Sequence, residues 1–302
     1  MAEPTVTQTF AGKAAGFYIS AALQDAVSLD YMTVLENVKY KMAVQTLGAA
    51  NVVRDGTCDF TDHGTLDLGE RLLEVEPFQI NLDLCKKNLL SSWEALQMRA
   101  GSDNPAPSFT DYVISYMAGN ISSQVEKCIW TGNTANNGEF TGFVTGAVGL
   151  LLGAGATQVA ASASPFTNAN IIANLNVAYE SISDALFGKD DLYIYMSPTS
   201  YQMYIQASSA LTNFPYANMS EDYMPVFNGV KLAVCNGMSN DELVVSQKSN
   251  LFFGTDLISD AEGASIRIMD MSALDGSDNM RIVCKYKAGV RQGIVADIVR
   301  VA

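Results

Sequence analysis

The longest regular signal in the chain is an amphipathic helix, predicted over residues 108–132, with no reactive constellation near it. Phe109, Val113, Met117, Ile121, Val125 and Cys128 recur at helical spacing, and Ile114 and Ile129 widen the apolar stripe. Ser108 is placed to cap the start, with Asp111 three residues on, and Gly132 stands where a left-handed stop is expected. At about 1.5 Å per residue such a helix is roughly 35 Å long, the width of a small domain. It follows a stretch that reads as an arm and then a long ribbon, an order that suits a chain built to be tiled.

A chain of 302 residues fits one large domain or two smaller ones. With 48% hydrophobic and 17% charged residues there is material for a substantial core, and the composition argues against disorder. The 18 basic and 32 acidic side chains give a formal net charge of −14. Such a surface repels phosphate backbones and disfavours sequence-independent contact with DNA or RNA. The cysteines, Cys58, Cys85, Cys128, Cys235 and Cys284, are far apart and odd in number, without a CxxC or Cys/His pairing that would hold zinc. Cys128 and Cys235 fall in apolar patterns and read as small core residues, which suits a reducing cytoplasm. The N-terminus lacks the basic region and apolar core of a signal peptide. Residues 140–179 carry no charge, and within them 142–156 are apolar and glycine-rich, too short and too rich in glycine for a comfortable membrane span. They read as a packed or partner-facing loop, and no membrane association is expected.

The chain opens with a tail of about a dozen residues and a helical pattern over residues 14–26, and residues 31–48 are too apolar for a solvent helix. From Val52 the character changes, with Asp55-Gly56 and His63-Gly64 as turn signals. Leu66, Leu68, Leu72 and Leu73, then Val75, Phe78, Ile80 and Leu82, alternate in part along a returning limb. Residues 40–90 are therefore expected to form a long two-stranded ribbon with a polar tip, which needs something to lie on. Residues 91–100 read as a short helix closed by Gly101, and a second helix is expected from Thr167 or Asn168 to Phe187, stopped by Gly188. Leu192 to Met196 is a short apolar strand, and Ser197-Pro198 starts a helix with proline at its first position. Asn228-Gly229 is the strongest hairpin signal. Strands are expected at 243–246, 251–253 and 265–269, and one or two longer ones over 281–301. The class is α+β.

Chemistry is nearly absent. The one histidine, His63, lies among Asp55, Asp59, Asp62 and Asp67. Asp59, Asp62 and His63 are candidate metal ligands, but the glycine and final glutamate of a calcium loop are missing. A solvated loop, or a rim touching another subunit, accounts for them more simply. With one histidine, catalytic triads are nearly excluded. Ser102-Asp103-Asn104 and Ser277-Asp278-Asn279 stand without the partner motifs of a β-lactamase, and Gly153-Ala154-Gly155 lacks the third glycine of a dinucleotide loop. No enzyme activity and no cofactor are expected.

The order of parts resembles a tailed-bacteriophage major capsid protein. The resemblance is carried by an N-terminal arm, a ribbon ending in Leu72-Leu73-Glu74-Val75-Glu76-Pro77-Phe78, a short helix with Trp93, and a long helix running into Ile129-Trp130-Thr131-Gly132. The helix ending at Phe187, the strand before Pro198, Asn228-Gly229-Val230 leading to Asn236-Gly237-Met238-Ser239, the run Ser249-Asn250-Leu251-Phe252-Phe253-Gly254, and the closing strands through Gly289-Val290 and Gly293 complete it. The fold it implies is the Hong Kong 97 type, with residues 1–39 as the arm and 40–90 as the extended loop. Residues 91–164 and 266–302 would form the peripheral domain with the long helix as its spine, and 165–265 the axial domain. The function it implies is self-assembly into hexamers and pentamers of an icosahedral head in the virion, put together in the host cytoplasm and enclosing double-stranded DNA without sequence-specific contact. Leu66, Leu68, Leu72, Leu73 and Phe78 are expected to bury against other subunits. The founding member of the fold joins subunits by a lysine–asparagine bond from the ribbon. Here no lysine lies between Lys41 and Lys86, so non-covalent contacts or a decoration protein are expected instead. The chain starts almost at the arm, so a separate scaffolding protein is expected, together with a portal. Two other readings remain open: an encapsulin-like compartment around an enzyme cargo, and a metal-dependent hydrolase or lectin-like binding protein using residues 55–67.

Overall fold

The computed structural model describes residues 26–50, 53–56, 58, 64–85, 107–146, 149–152, 155–210, 225–256, 266–272, 274 and 276–302. In chain order the elements are β1 (Thr33–Leu35), β2 (Lys41–Ala50), β3 (Thr65–Glu74), β4 (Glu76–Cys85), α1 (Pro107–Thr131), β5 (Thr157–Val159), α2 (Ile171–Glu180), β6 (Leu192–Met196), α3 (Pro198–Ala210), β7 (Val226–Phe227), β8 (Val230–Val234), β9 (Leu243–Gln247), β10 (Leu251–Thr255), β11 (Ile266–Asp270), β12 (Asn279–Gln292) and β13 (Val299–Val301). They fall into two compact units. The larger comprises Ala26–Glu76, Gln124–Asp256 and Lys287–Ala302, and the smaller includes Pro77–Ser123 and Leu257–Tyr286. The expected helices at residues 14–26 and 91–100 lie outside the described residues.

The larger unit is centred on a six-stranded sheet ordered β5-β13-β9-β6-β8-β7. β6 and β9 are buried almost throughout, which is why Leu192 to Met196 reads as an apolar run rather than an alternation. β6 and β8 run parallel, joined through α3, while β6 and β9 run antiparallel. α3 starts as its sequence predicts: Pro198 occupies the first turn and the Ser200 amide donates to Ser197 Oγ at 3.1 Å. Asn228 and Gly229 have φ of 47° and 87°, the paired positive values of the tight hairpin turn between β7 and β8. Ile171, Leu175 and Ala178 of α2 and Tyr204 of α3 cover one face of this sheet, over Ile194, Leu232 and Val245. α2 is shorter than the expected helix to Phe187. The chain leaves it at Ser181, whose hydroxyl bonds back to the Val177 carbonyl at 2.7 Å. The following turns still deliver Ile182 and Leu186 to the core, and Gly188 takes a φ of 81° beyond them.

A second set of strands in the larger unit has β1 parallel to β10, and β10 antiparallel to residues 288–292 of β12. In the smaller unit, residues 280–284 of β12 pair with β11, and β4 also pairs with β12. There Phe78 meets Tyr286 at 5.3 Å between ring centroids. The expected ribbon over 40–90 is corrected by this arrangement. β2 and β3 form the hairpin, from Lys41 opposite Glu74 to Ala50 opposite Thr65, while β4 changes partner and joins a different sheet.

α1 begins at Pro107, so Ser108 lies inside the helix rather than capping it. Met117, Ile121, Val125, Cys128 and Ile129 are buried as the stripe predicts. Its end differs from expectation, because Gly132 is not left-handed. The amides of Gly142, Phe143 and Val144 instead bond at 2.9 Å to the carbonyls of Gly132, Ile129 and Trp130, supplying the partners that a helix end lacks. A side chain at Gly132 would strike the Phe140 carbonyl, so glycine is needed for close approach and not for its dihedral freedom. The uncharged loop is thus packed core: Phe140, Phe143, Val144 and Leu151 are all buried. Among the described residues no helix is long and apolar enough to cross a membrane.

Among the described residues, the most deeply buried charge lies in that core. Glu126 of α1 is fully buried and accepts from the Ser28 amide (3.0 Å), the Ser28 hydroxyl (2.6 Å) and the Gly237 amide (3.1 Å). Trp130, one turn on, donates to the same Ser28 hydroxyl at 2.7 Å and stands against Phe143 and Tyr195. Burial holds the Glu126 carboxyl above its ordinary range, against the lowering effect of those donors. A carboxyl raised in the folded state contributes stability that is present in acid and lost as pH rises through the raised value. Chemical denaturation across pH should therefore show wild type losing stability over that window relative to Glu126→Gln. Glu126→Ala, which strips several buried donors of their acceptor, is expected to cost about 3 kcal/mol in acid, and less as pH rises through the same window.

Candidate functional site

The ribbon carries the most prominent exposed apolar surface among the described residues. Strand periodicity assigns its side chains to two faces. Leu47 opposes Leu68, Ala43 opposes Leu72 and Lys41 opposes Glu74, so Leu47, Leu66, Leu68 and Leu72 share one face. Their exposures are 62%, 61%, 72% and 42%, high for leucines this close together. The root of the same face is closed by a Lys41–Glu74 ion pair at 2.5 Å, and Gln45 and Glu70 form a polar rung between the leucines.

The opposite face holds Leu73, paired with Met42. Leu73 is wholly buried in its own chain, so it has no surface to offer another subunit, and its expected role is corrected to that of a core residue. It lies against Gly254 of β10, where an added methyl would meet its Cδ2 at 2.8 Å, and Gly289 of β12 leaves the same kind of room for the Glu74 carbonyl. The ribbon root is seated by these two glycines. The parity that separates Leu73 from Leu66, Leu68 and Leu72 is visible in the sequence itself. Phe78 is half-buried, in the smaller unit. Asp59, Asp62 and His63 lie outside the described residues, and among those described no cluster of His, Cys, Asp or Glu is set to hold a metal ion.

Beside the ribbon root is a cleft of about 470 Å³ within the larger unit. Leu72, Phe140, Leu150 and Val290 form its apolar walls, and Glu70, Arg71, Glu74, Glu76 and Arg291 bring charge to it. Arg291, which no sequence motif singles out, has a buried Nε with no hydrogen-bond partner among the described residues. Burial and then the neighbouring Arg71 charge hold its guanidinium below the usual range, with Glu74 acting in the opposite sense.

No protein-family model matches the chain, and no curated relative does. Solved structures do. The capsid of a native GTA particle matches with a TM-score of 0.60 at 12% identity, over 100% of this chain and 95% of its own. A structure of Mycobacterium phage Adephagia matches with a TM-score of 0.61 at 13% identity, over 93% and 91%. The capsid of Myoviridae phage XM1 matches with a TM-score of 0.57 at 12% identity, over 95% and 94%. The chain has the Hong Kong 97-type capsid fold. In this capsid fold the parts are α+β, and the β2–β3 hairpin and the long α1 helix are its conspicuous elements.

The two faces of the hairpin differ in what they do for the isolated capsid-fold chain. Leu73→Ala should lower its unfolding free energy by about 3 kcal/mol, as for other large-to-small core changes. Leu68→Ala should change it by less than about 0.5 kcal/mol, as expected of a surface site. Urea denaturation of the two variants in parallel checks both values.

Proposed function

We propose that this chain is the major capsid protein of a tailed-phage head, assembling as hexamers and pentamers into an icosahedral shell around double-stranded DNA. The observation that carries this reading is the match to capsid structures over 100% and 95% of this chain. The neighbours are phage and GTA capsids, which favours a head over an enzyme-enclosing compartment. Supporting it is a ribbon that leaves its leucines exposed on one face, a shape suited to lying across another copy. In this reading the long helix is the spine of a peripheral domain and the six-stranded sheet belongs to an axial domain. The role is structural rather than enzymatic. A monomer of net charge −14, repeated through a shell, gives a lining that is repulsive to packed DNA. A separate scaffolding protein, a portal and a decoration protein would be its partners, with assembly in the host cytoplasm. With no lysine between Lys41 and Lys86, the ribbon tip is joined to its neighbours without covalent bonds.

Negative-stain electron microscopy of the protein, expressed alone and with its neighbouring scaffold candidate, tests the reading. Closed angular shells or rings of five and six are expected, and a monodisperse monomer under both conditions would sink it. Leu68→Lys places a charge in the apolar face and should prevent assembly while leaving the monomer folded. Free protein should be cut by proteases within residues 40–90, and assembled particles should be protected there.

A further inference from the structure

We infer that the cleft at the ribbon root receives a carboxylate side chain from a second copy of this chain, held between Arg71 and Arg291. This rests on the capsid reading and adds a polar contact to it. Three observations carry it. Neither Arg71 nor Arg291 forms an ion pair among the described residues, although Arg291 buries its Nε there without a partner. An unpaired donor sunk in a cleft is costly, and a carboxylate matches a guanidinium in both charge and planar geometry. The glutamates that line the cleft do not supply that match. Glu74 is tied to Lys41, and Glu70 and Glu76 are exposed to water. At Arg291 burial and then the Arg71 charge hold the guanidinium below its usual range, with Glu74 opposing them.

The occupant follows from charge and from continuity. Another copy of the chain offers 32 carboxylates against 18 basic side chains, so its surface presents acid far more often than base. Leu72 belongs both to the exposed leucine face and to the cleft wall, so a copy lying on that face reaches the edge of the cleft, which Arg71, sharing the parity of Leu73, lines from the other face. Phe140, Leu150 and Val290 exclude water around the pair once it forms, which strengthens it relative to a surface ion pair.

The test uses assembled particles made from a mixture of ¹⁴N- and ¹⁵N-labelled protein bearing Arg291→Lys, treated with a carbodiimide that couples an amine to a carboxylate in contact with it. Peptides joining position 291 of one isotope to an Asp or Glu of the other are expected. Coupling confined to Glu70, Glu74 or Glu76 of the same copy would overturn the inference. In parallel, Arg71→Gln and Arg291→Gln should each raise the concentration needed for assembly by about tenfold, the loss of one charge-assisted contact, and the effect should shrink at high salt. Should Arg291→Gln fail to fold, Arg71→Gln carries the measurement from the ribbon side. Variants that assemble like wild type would refute the contact and leave the capsid reading standing. A wild-type chain that never assembles would instead remove the capsid reading itself.

Discussion

The Glu126 carboxylate is the interaction on which the larger unit depends. Its donors are Ser28, 98 positions earlier, and Gly237, 111 positions later, so one side chain joins three segments that no local structure would bring together. Sinking an ion into a core costs several kcal/mol, and it is tolerated only where donors surround it, as they do here. The surroundings are otherwise neutral: burial pushes the Cys235 thiol well up, and likewise the Tyr195 hydroxyl, which donates instead to the Tyr31 carbonyl at 2.7 Å. Gly237 has no side chain because a methyl there would strike the Glu126 carbonyl. With these contacts made, Trp130 is locked against Phe143 and Tyr195, and the end of α1 is fixed to the loop that supplies its last carbonyls with donors.

The ribbon is the contrasting case. Among the described residues it is held at its root, where Leu73 and Val75 are buried and Val75 donates to the Tyr40 carbonyl at 3.1 Å. Beyond the root its strands pair, among the described residues, with each other alone, and a two-stranded ribbon gains little from its own contacts. Burying one face only at the root and exposing leucines along the other gives an arm that is anchored but unspent. That division belongs to strand periodicity: position 73 is odd where 66, 68 and 72 are even.

Much of this was legible locally. Leu192 to Met196, Pro198 at a helix start, Asn228-Gly229 and the α1 stripe all form what their residue patterns predict, because each is decided by neighbours in sequence. The failures share a different cause. The strand after Glu74 keeps its alternation through Phe78, Ile80 and Leu82, and nothing local announces that it has exchanged β2 for β12 as its partner. Gly132 has the usual form of a helix stop, and only the distant loop at 140–144 reveals that close approach is the reason for it. Glu126 sits in the helix as one more acidic residue. Its burial is set by Ser28 and Gly237, which sequence spacing cannot place beside it. The same is true of Arg291 in its cleft, since a lone cation in an alternating strand gives no sign of what lies above it.

For the proposed shell, the weakness of each ribbon contact is part of how it would work. A leucine taken fully out of water contributes about 2 kcal/mol, and these four are already partly covered by their own chain. Bringing two copies together costs on the order of 4–15 kcal/mol in lost freedom, and ordering the ribbon adds to that. One leucine face therefore cannot hold a stable dimer, and the polar rung of Gln45 and Glu70 in its middle weakens it further. In a closed ring every copy both gives and receives a ribbon, so the contacts add while the last one closes without a further copy being immobilised. Weak, repeated contacts also let misplaced copies leave before the shell closes. A ribbon with a continuous apolar face would bind strongly at the first encounter and trap errors, so the interruption of its leucines by charge favours an ordered shell over an aggregate.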